Sequence, residues 1–133
     1  MTAVARLAAA IGYPDPVRED ETVFTLKVDG GEMRASEERG QLVLSRELAV
    51  EEEQLPRLAG YAAGRLIKED AVLAWDPQRE AALLWQQTPA SSSDGQLKLF
   101  FEVFAASCDW WAARLSEENR EESHSFPQMM FRP

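Results

Sequence analysis

Between Gly95 and Leu115, apolar residues return at Leu97, Phe101, Phe104, Cys108, Trp111 and Leu115. This spacing of alternating fours and threes makes a heptad-like seam along one helix. A second face of the same segment carries Phe100, Val103 and Trp110. One stripe is enough to seat a helix on a sheet. A helix that is apolar on two sides is either deeply buried or shared with a partner.

The segments before it supply a sheet. From Glu21 the period changes to two, with Phe24, Leu26 and Val28 alternating with Val23, Thr25 and Lys27, the pattern of a strand buried on one face. Asp29-Gly30-Gly31 is a hairpin signal, because glycine accepts the positive φ of tight turns. Met33 and Ala35 continue into a second strand, Arg39-Gly40 marks another turn, and Leu42-Val43-Leu44 opens a third. Three strands joined by two tight turns make an antiparallel meander. Two further strands are expected at Val72–Trp75 and Ala81–Gln86, with a turn at Asp76-Pro77. A polar loop, Thr88–Gly95, then leads to the last helix, with Asp94 expected as its cap.

Two other helices complete the pattern. Val4, Leu7, Ala8 and Ile11 form one stripe over residues 2–12, with Gly12 as the stop and Pro14 and Pro16 beyond it. Leu55, Leu58, Ala62 and Leu66, flanked by Ala59 and Ala63, predict a helix over about Glu51–Ile67. Gly60 and Gly64 on that helix are either tolerated small residues or a place where another element approaches closely. The sequence therefore predicts an α+β domain of order α-β-β-β-α-β-β-α, a twisted antiparallel sheet flanked by helices. It spans residues 1–115. Residues 116–133 read as a mobile acidic tail, because SEENREESHS has no periodicity. Its apolar end, Phe126–Phe131, is either frayed or a clip that docks on a surface.

Charge narrows the function. The 133 residues carry 14 basic and 23 acidic side chains, a net charge of −9. That balance disfavours binding to phosphate backbones or to anionic membranes. The N-terminal apolar run is too short for a signal peptide, and no stretch reaches the ~18 apolar residues of a membrane span, so a cytoplasmic location is expected. A lone Cys108 and a lone His124 exclude an intramolecular disulfide and a zinc site built from His and Cys, so no metal or cofactor is expected.

No catalytic constellation has a specific spacing. A Ser/His/Asp triad would have to use His124, in the tail, and Cys108 on the helix seam reads as a small core residue. Asp29-Gly30-Gly31 lacks the Gly and Lys of a phosphate loop and lies between strands. The four tryptophans fall on strands and a helix, where packing is their expected use. A non-enzymatic protein is expected.

The whole order of elements resembles the class I chaperones of bacterial type III secretion, the Tir chaperone family. The resemblance spans residues 2–115. Its best local pieces are Leu42-Val43-Leu44-Ser45-Arg46-Glu47-Leu48, leading into the second helix, and Trp111-Ala112-Ala113-Arg114-Leu115, closing the last. The resemblance implies a homodimer built by the second helix and the strand after it, here Leu55, Leu58, Ala59, Ala62, Leu66, Val72, Leu73 and Trp75. It also implies, as the partner, the N-terminal region of a type III secreted effector, held soluble and extended without ATP. The implied groove lies between the first helix (Leu7, Ile11) and the meander (Phe24, Leu26, Val28, Met33, Leu42, Leu44), although some of these residues must fill the core. The alternative is an inhibitor, immunity or adaptor module of similar fold that caps a folded protein.

Overall fold

The structure, a computed structural model, describes the backbone of residues 1–28, 31–48, 72–76, 78 and 81–131. The side chains of 28 and of 115–131 lie outside that description, and so does the helix expected over 51–67. The described elements are α1 (Ala3–Ala10), β1 (Val23–Val28), β2 (Gly31–Glu38), β3 (Gln41–Leu48), β4 (Val72–Asp76), β5 (Ala81–Pro89) and α2 (Asp94–Phe131). The five strands form one antiparallel sheet in the order β1-β2-β3-β5-β4. The predicted α+β class and the meander are both present.

Local chemistry explains the element ends. Thr2 caps α1 by accepting the Ala5 N–H at 3.2 Å, and the Glu37 carboxylate accepts the Ala3 N–H at 3.2 Å. Both satisfy donors that a helix start leaves without partners, and the anion sits at the positive end of the dipole. At the other end Gly12 takes φ +71°. Its N–H bonds the Ala9 carbonyl at 3.2 Å while the Tyr13 N–H bonds the Ala8 carbonyl at 2.9 Å. That pair of bonds is a Schellman motif, which needs a left-handed residue at this position. The β2–β3 turn uses Arg39 at φ 53° and Gly40 at φ 76°, the two positive values of a type I′ hairpin.

α2 begins differently from the expectation. Ser93, not Asp94, is its cap: the Ser93 Oγ accepts the Gln96 N–H at 3.2 Å and the Gln96 side chain accepts the Ser93 N–H at 2.9 Å. This reciprocal capping box leaves Asp94 free to bind Arg6 Nε at 2.8 Å. The same guanidinium donates to the Ala90 and Ser92 carbonyls, tying α1 to the corner between β5 and α2. The helical backbone then continues to Phe131, past Leu115 where the apolar seam stops.

Both helices pack on one face of the sheet, and the core lies between. Val4 and Leu7 of α1 share one buried cluster with Leu26, Met33, Leu42, Leu44 and Leu84 of the sheet and Leu97, Phe104 and Trp111 of α2. The predicted seam on α2 is the buried one: Leu97, Phe104, Cys108 and Trp111 are at most 2 % exposed, and Phe101 is half-buried. On its second face Val103 is exposed, while Phe100 and Trp110 are half-buried. Trp110 packs edge-on against Trp111, and Arg114 stacks over it at 5.1 Å from the ring centre.

One charged residue interrupts this layer. The register places Arg46 in the inner row Leu26–Met33–Arg46–Leu84–Leu73, so its side chain enters the core, where it is 6 % exposed. It bonds Cys108 on α2 and passes Gly31, where an added Cβ would stand 3.6 Å from the guanidinium. Burial raises the Cys108 thiol from its ordinary 9.0 to about 11, and the Arg46 cation only partly opposes this. The folded protein therefore binds that proton more tightly than the unfolded chain. Stability from this group is intact below pH 9 and falls as pH rises towards 11. At neutral pH native Cys108 should resist iodoacetamide, and its labelling rate should track the unfolded population across a urea titration. Rapid labelling without denaturant would contradict this packing.

Candidate peptide-binding groove

A sheet of this order has two edges, β1 and β4. Which backbone groups point outward from β1 follows from its register. The Thr22 carbonyl accepts the Glu37 N–H of β2 at 2.9 Å, and antiparallel strands alternate every second residue. Phe24, Leu26 and Val28 therefore bond β2, while the N–H and C=O groups of Val23, Thr25 and Lys27 face away from it. Among the described residues no strand pairs with them. An edge of this kind is a template for another extended chain.

Alongside that edge lies a groove of about 630 Å3, lined by Ile11, Tyr13, Leu26, Lys27 and Phe101, with Asp15 at its rim. Three elements build it. The Schellman turn ending α1 throws Tyr13 towards β1, β1 supplies Leu26 and Lys27, and α2 supplies Phe101. The Tyr13 hydroxyl donates to the outward Thr25 carbonyl at 3.4 Å, and its ring lies 5.2 Å from that of Phe24, tilted by 45°. The lining is mixed. Half-buried Ile11 and Phe101 offer apolar surface, and Asp15 and Lys27 are also among the lining residues.

The expected groove residues divide into two groups. Leu7, Met33, Leu42 and Leu44 are 0 % exposed and fill the core, so no partner reaches them in this conformation. Phe24 and Leu26 are 8 % exposed, Ile11 is half-buried, and the side chain of Val28 lies outside the described residues. Of the residues expected at a dimer interface, Leu55, Leu58, Ala59, Ala62 and Leu66 also lie outside them. Val72, Leu73 and Trp75 sit on the β4 edge, all half-buried. Leu73 and Trp75 pack towards the helices, and the alternation of the strand turns Val72 to the opposite face. Sequence reasoning missed Tyr13, Asp15 and Thr25. An aromatic directly after a helix-ending glycine was the available signal for Tyr13.

The opposite face of the sheet carries a second concavity of about 740 Å3, lined by Thr25, Arg34, Ser45, Glu47, Asp76 and Leu83. It is the more polar of the two, with Arg34, Glu47 and Asp76 in its lining. Among the described residues no group of His, Cys, Asp and Glu is placed to hold a metal ion, and no helix is long and apolar enough to cross a membrane.

No protein-family model matches the chain, and no curated protein matches it in sequence. Solved structures share its fold. A chain of the ExoT–SpcS complex from Pseudomonas aeruginosa is 20% identical with a TM-score of 0.58, the match covering 80% of this chain and 91% of that one. A chain of the HopA1–SchA chaperone–effector complex is 18% identical with a TM-score of 0.65, covering 84% and 91%. A chain of the ExsC–ExsE complex is 16% identical with a TM-score of 0.64, covering 84% and 89%. The chain thus has an α+β fold that matches chains of these three complexes, one of them a chaperone–effector complex.

Proposed function

We propose that the chain is a chaperone for a type III secreted effector, binding the effector's N-terminal region in extended form and without ATP. One observation carries the reading: a strand edge with no partner strand among the described residues lies beside a half-apolar groove, on a fold shared with a chain of a chaperone–effector complex. An extended client gains main-chain hydrogen bonds along such an edge, and every second side chain enters the groove. Ordering a disordered client costs roughly 2–5 kcal/mol or more, so a long wrapped segment is needed for tight binding. Two protomers joined through residues 55–66 and the β4 edge would double the surface available to it. The net charge of −9 keeps a protein with exposed apolar surface soluble and repels copies of itself.

Co-expression with the product of the adjacent reading frame tests the reading. The first ~100 residues of that product should co-purify with this chain and gain protection from protease, as ordering of a disordered segment on binding requires. If they do neither, the chaperone function fails. Light scattering should give twice the chain mass, and Leu58→Asp should halve it by placing an unpaired charge in an apolar interface. An unchanged dimer mass would move the interface elsewhere.

A further inference from the structure

We infer that Tyr13 is a latch on the open edge of β1, closed in the free protein and displaced by the strand that binds there. The inference rests on the client-binding reading above and adds to it a residue that regulates access. Three observations point the same way. The Tyr13 hydroxyl, which also has the Asp15 carboxylate beside it, bonds the carbonyl of Thr25, which the β1–β2 register turns outward to where an added strand would pair. The ring rests against Phe24, so the side chain lies over the edge and does not extend into solvent. The Schellman turn at Gly12 fixes the backbone from which the side chain projects, with Tyr13 itself donating to Ala8 at 2.9 Å.

The latch is weak by construction. A neutral bond of 3.4 Å on an exposed edge is at the long limit of hydrogen-bond geometry. An unoccupied edge strand invites pairing with other copies, and a side chain covering its acceptor blunts that hazard at small cost to the client. An incoming strand supplies a main-chain N–H to the same Thr25 oxygen. The ring must then leave Phe24, which opens the groove on Ile11 and Phe101 to a client side chain. The apparent affinity is therefore multiplied by the fraction of latches open, and loosening the latch raises the apparent on-rate in proportion to that fraction.

The test uses the full chain with the first ~100 residues of the adjacent gene product as probe. In NMR spectra the ring contacts between Tyr13 and Phe24 should be present in the free protein and lost in the complex. Persistence of those contacts in the complex overturns the latch. In stopped flow, Tyr13→Phe removes only the hydroxyl and should raise the association rate about two- to fivefold, with dissociation nearly unchanged. An unchanged or slower association overturns the latch as well. Should the wild-type chain take up no probe at all, the chaperone reading itself fails and the latch falls with it. Binding with the Tyr13–Phe24 contacts intact leaves that reading standing and rejects the latch alone.

Discussion

Lys27→Pro is expected to cut client binding by about tenfold or more while the thermal midpoint stays close to wild type. The reason lies in the parity of β1. The Lys27 N–H faces the open edge, so proline there removes a donor that the β1–β2 ladder does not use. An added strand, by contrast, loses one hydrogen bond, leaves an acceptor unsatisfied and meets the pyrrolidine ring, together about 1–3 kcal/mol. Leu26→Pro, one residue away, should behave oppositely. It breaks a ladder bond and removes a side chain that is 8 % exposed, costing about 3 kcal/mol or more of stability. Lys27→Ala is the control for lost charge and should bind within about twofold of wild type, as an exposed charge contributes little. Calorimetric titration with thermal melts on all three variants reads both quantities. Full binding by a folded Lys27→Pro protein would exclude strand addition at this edge.

The second large effect concerns α2. Phe104 is 0 % exposed and lies among Leu97, Cys108 and Trp111 on the buried seam. Phe104→Ala should therefore cost about 3–5 kcal/mol, combining lost transfer energy with a cavity that the close-packed layer cannot collapse. Against a typical total of about 5–15 kcal/mol, that loss brings the chain near its unfolding threshold. Leu99, on the same helix, is 60 % exposed, and Leu99→Ala should stay within about 0.5 kcal/mol. Urea titrations of the two variants give the comparison. Equal midpoints would mean that α2 does not seat on the sheet through the seam.

These two faces of one helix show how far the pattern alone reached. The spacing from Leu97 to Trp111 identified the side of α2 that fills the core, because burial of one stripe follows directly from helical periodicity. The alternation at Phe24, Leu26, Met33, Leu42 and Leu44 likewise identified the inner face of the meander. Turn chemistry was equally legible at Gly12 and at Arg39-Gly40, where positive φ values are needed. Capping was misread by one residue. Asp94 and Ser93 are both good caps, and only the reciprocal bond from Gln96 separates them.

The groove was legible only in part. Leu7, Met33, Leu42 and Leu44 were expected to line it, yet they form its foundation. An apolar residue on a strand has the same local signature whether it meets a helix or a partner. The choice depends on which long-range neighbour arrives, and sequence spacing carries no such information.

By itself, then, the sequence determined the types and order of the described elements and the buried faces of α1, the meander and α2. Local periodicity and turn stereochemistry act over a few residues, so they can be read along the chain. Only the tertiary structure decided that β5 inserts between β3 and β4 and that β1 stands at an edge. It also brought Arg46 under Cys108 and laid Tyr13 across the Thr25 carbonyl. Each of those results depends on pairing between residues distant in sequence, where the free energy of packing the whole layer outweighs any local preference.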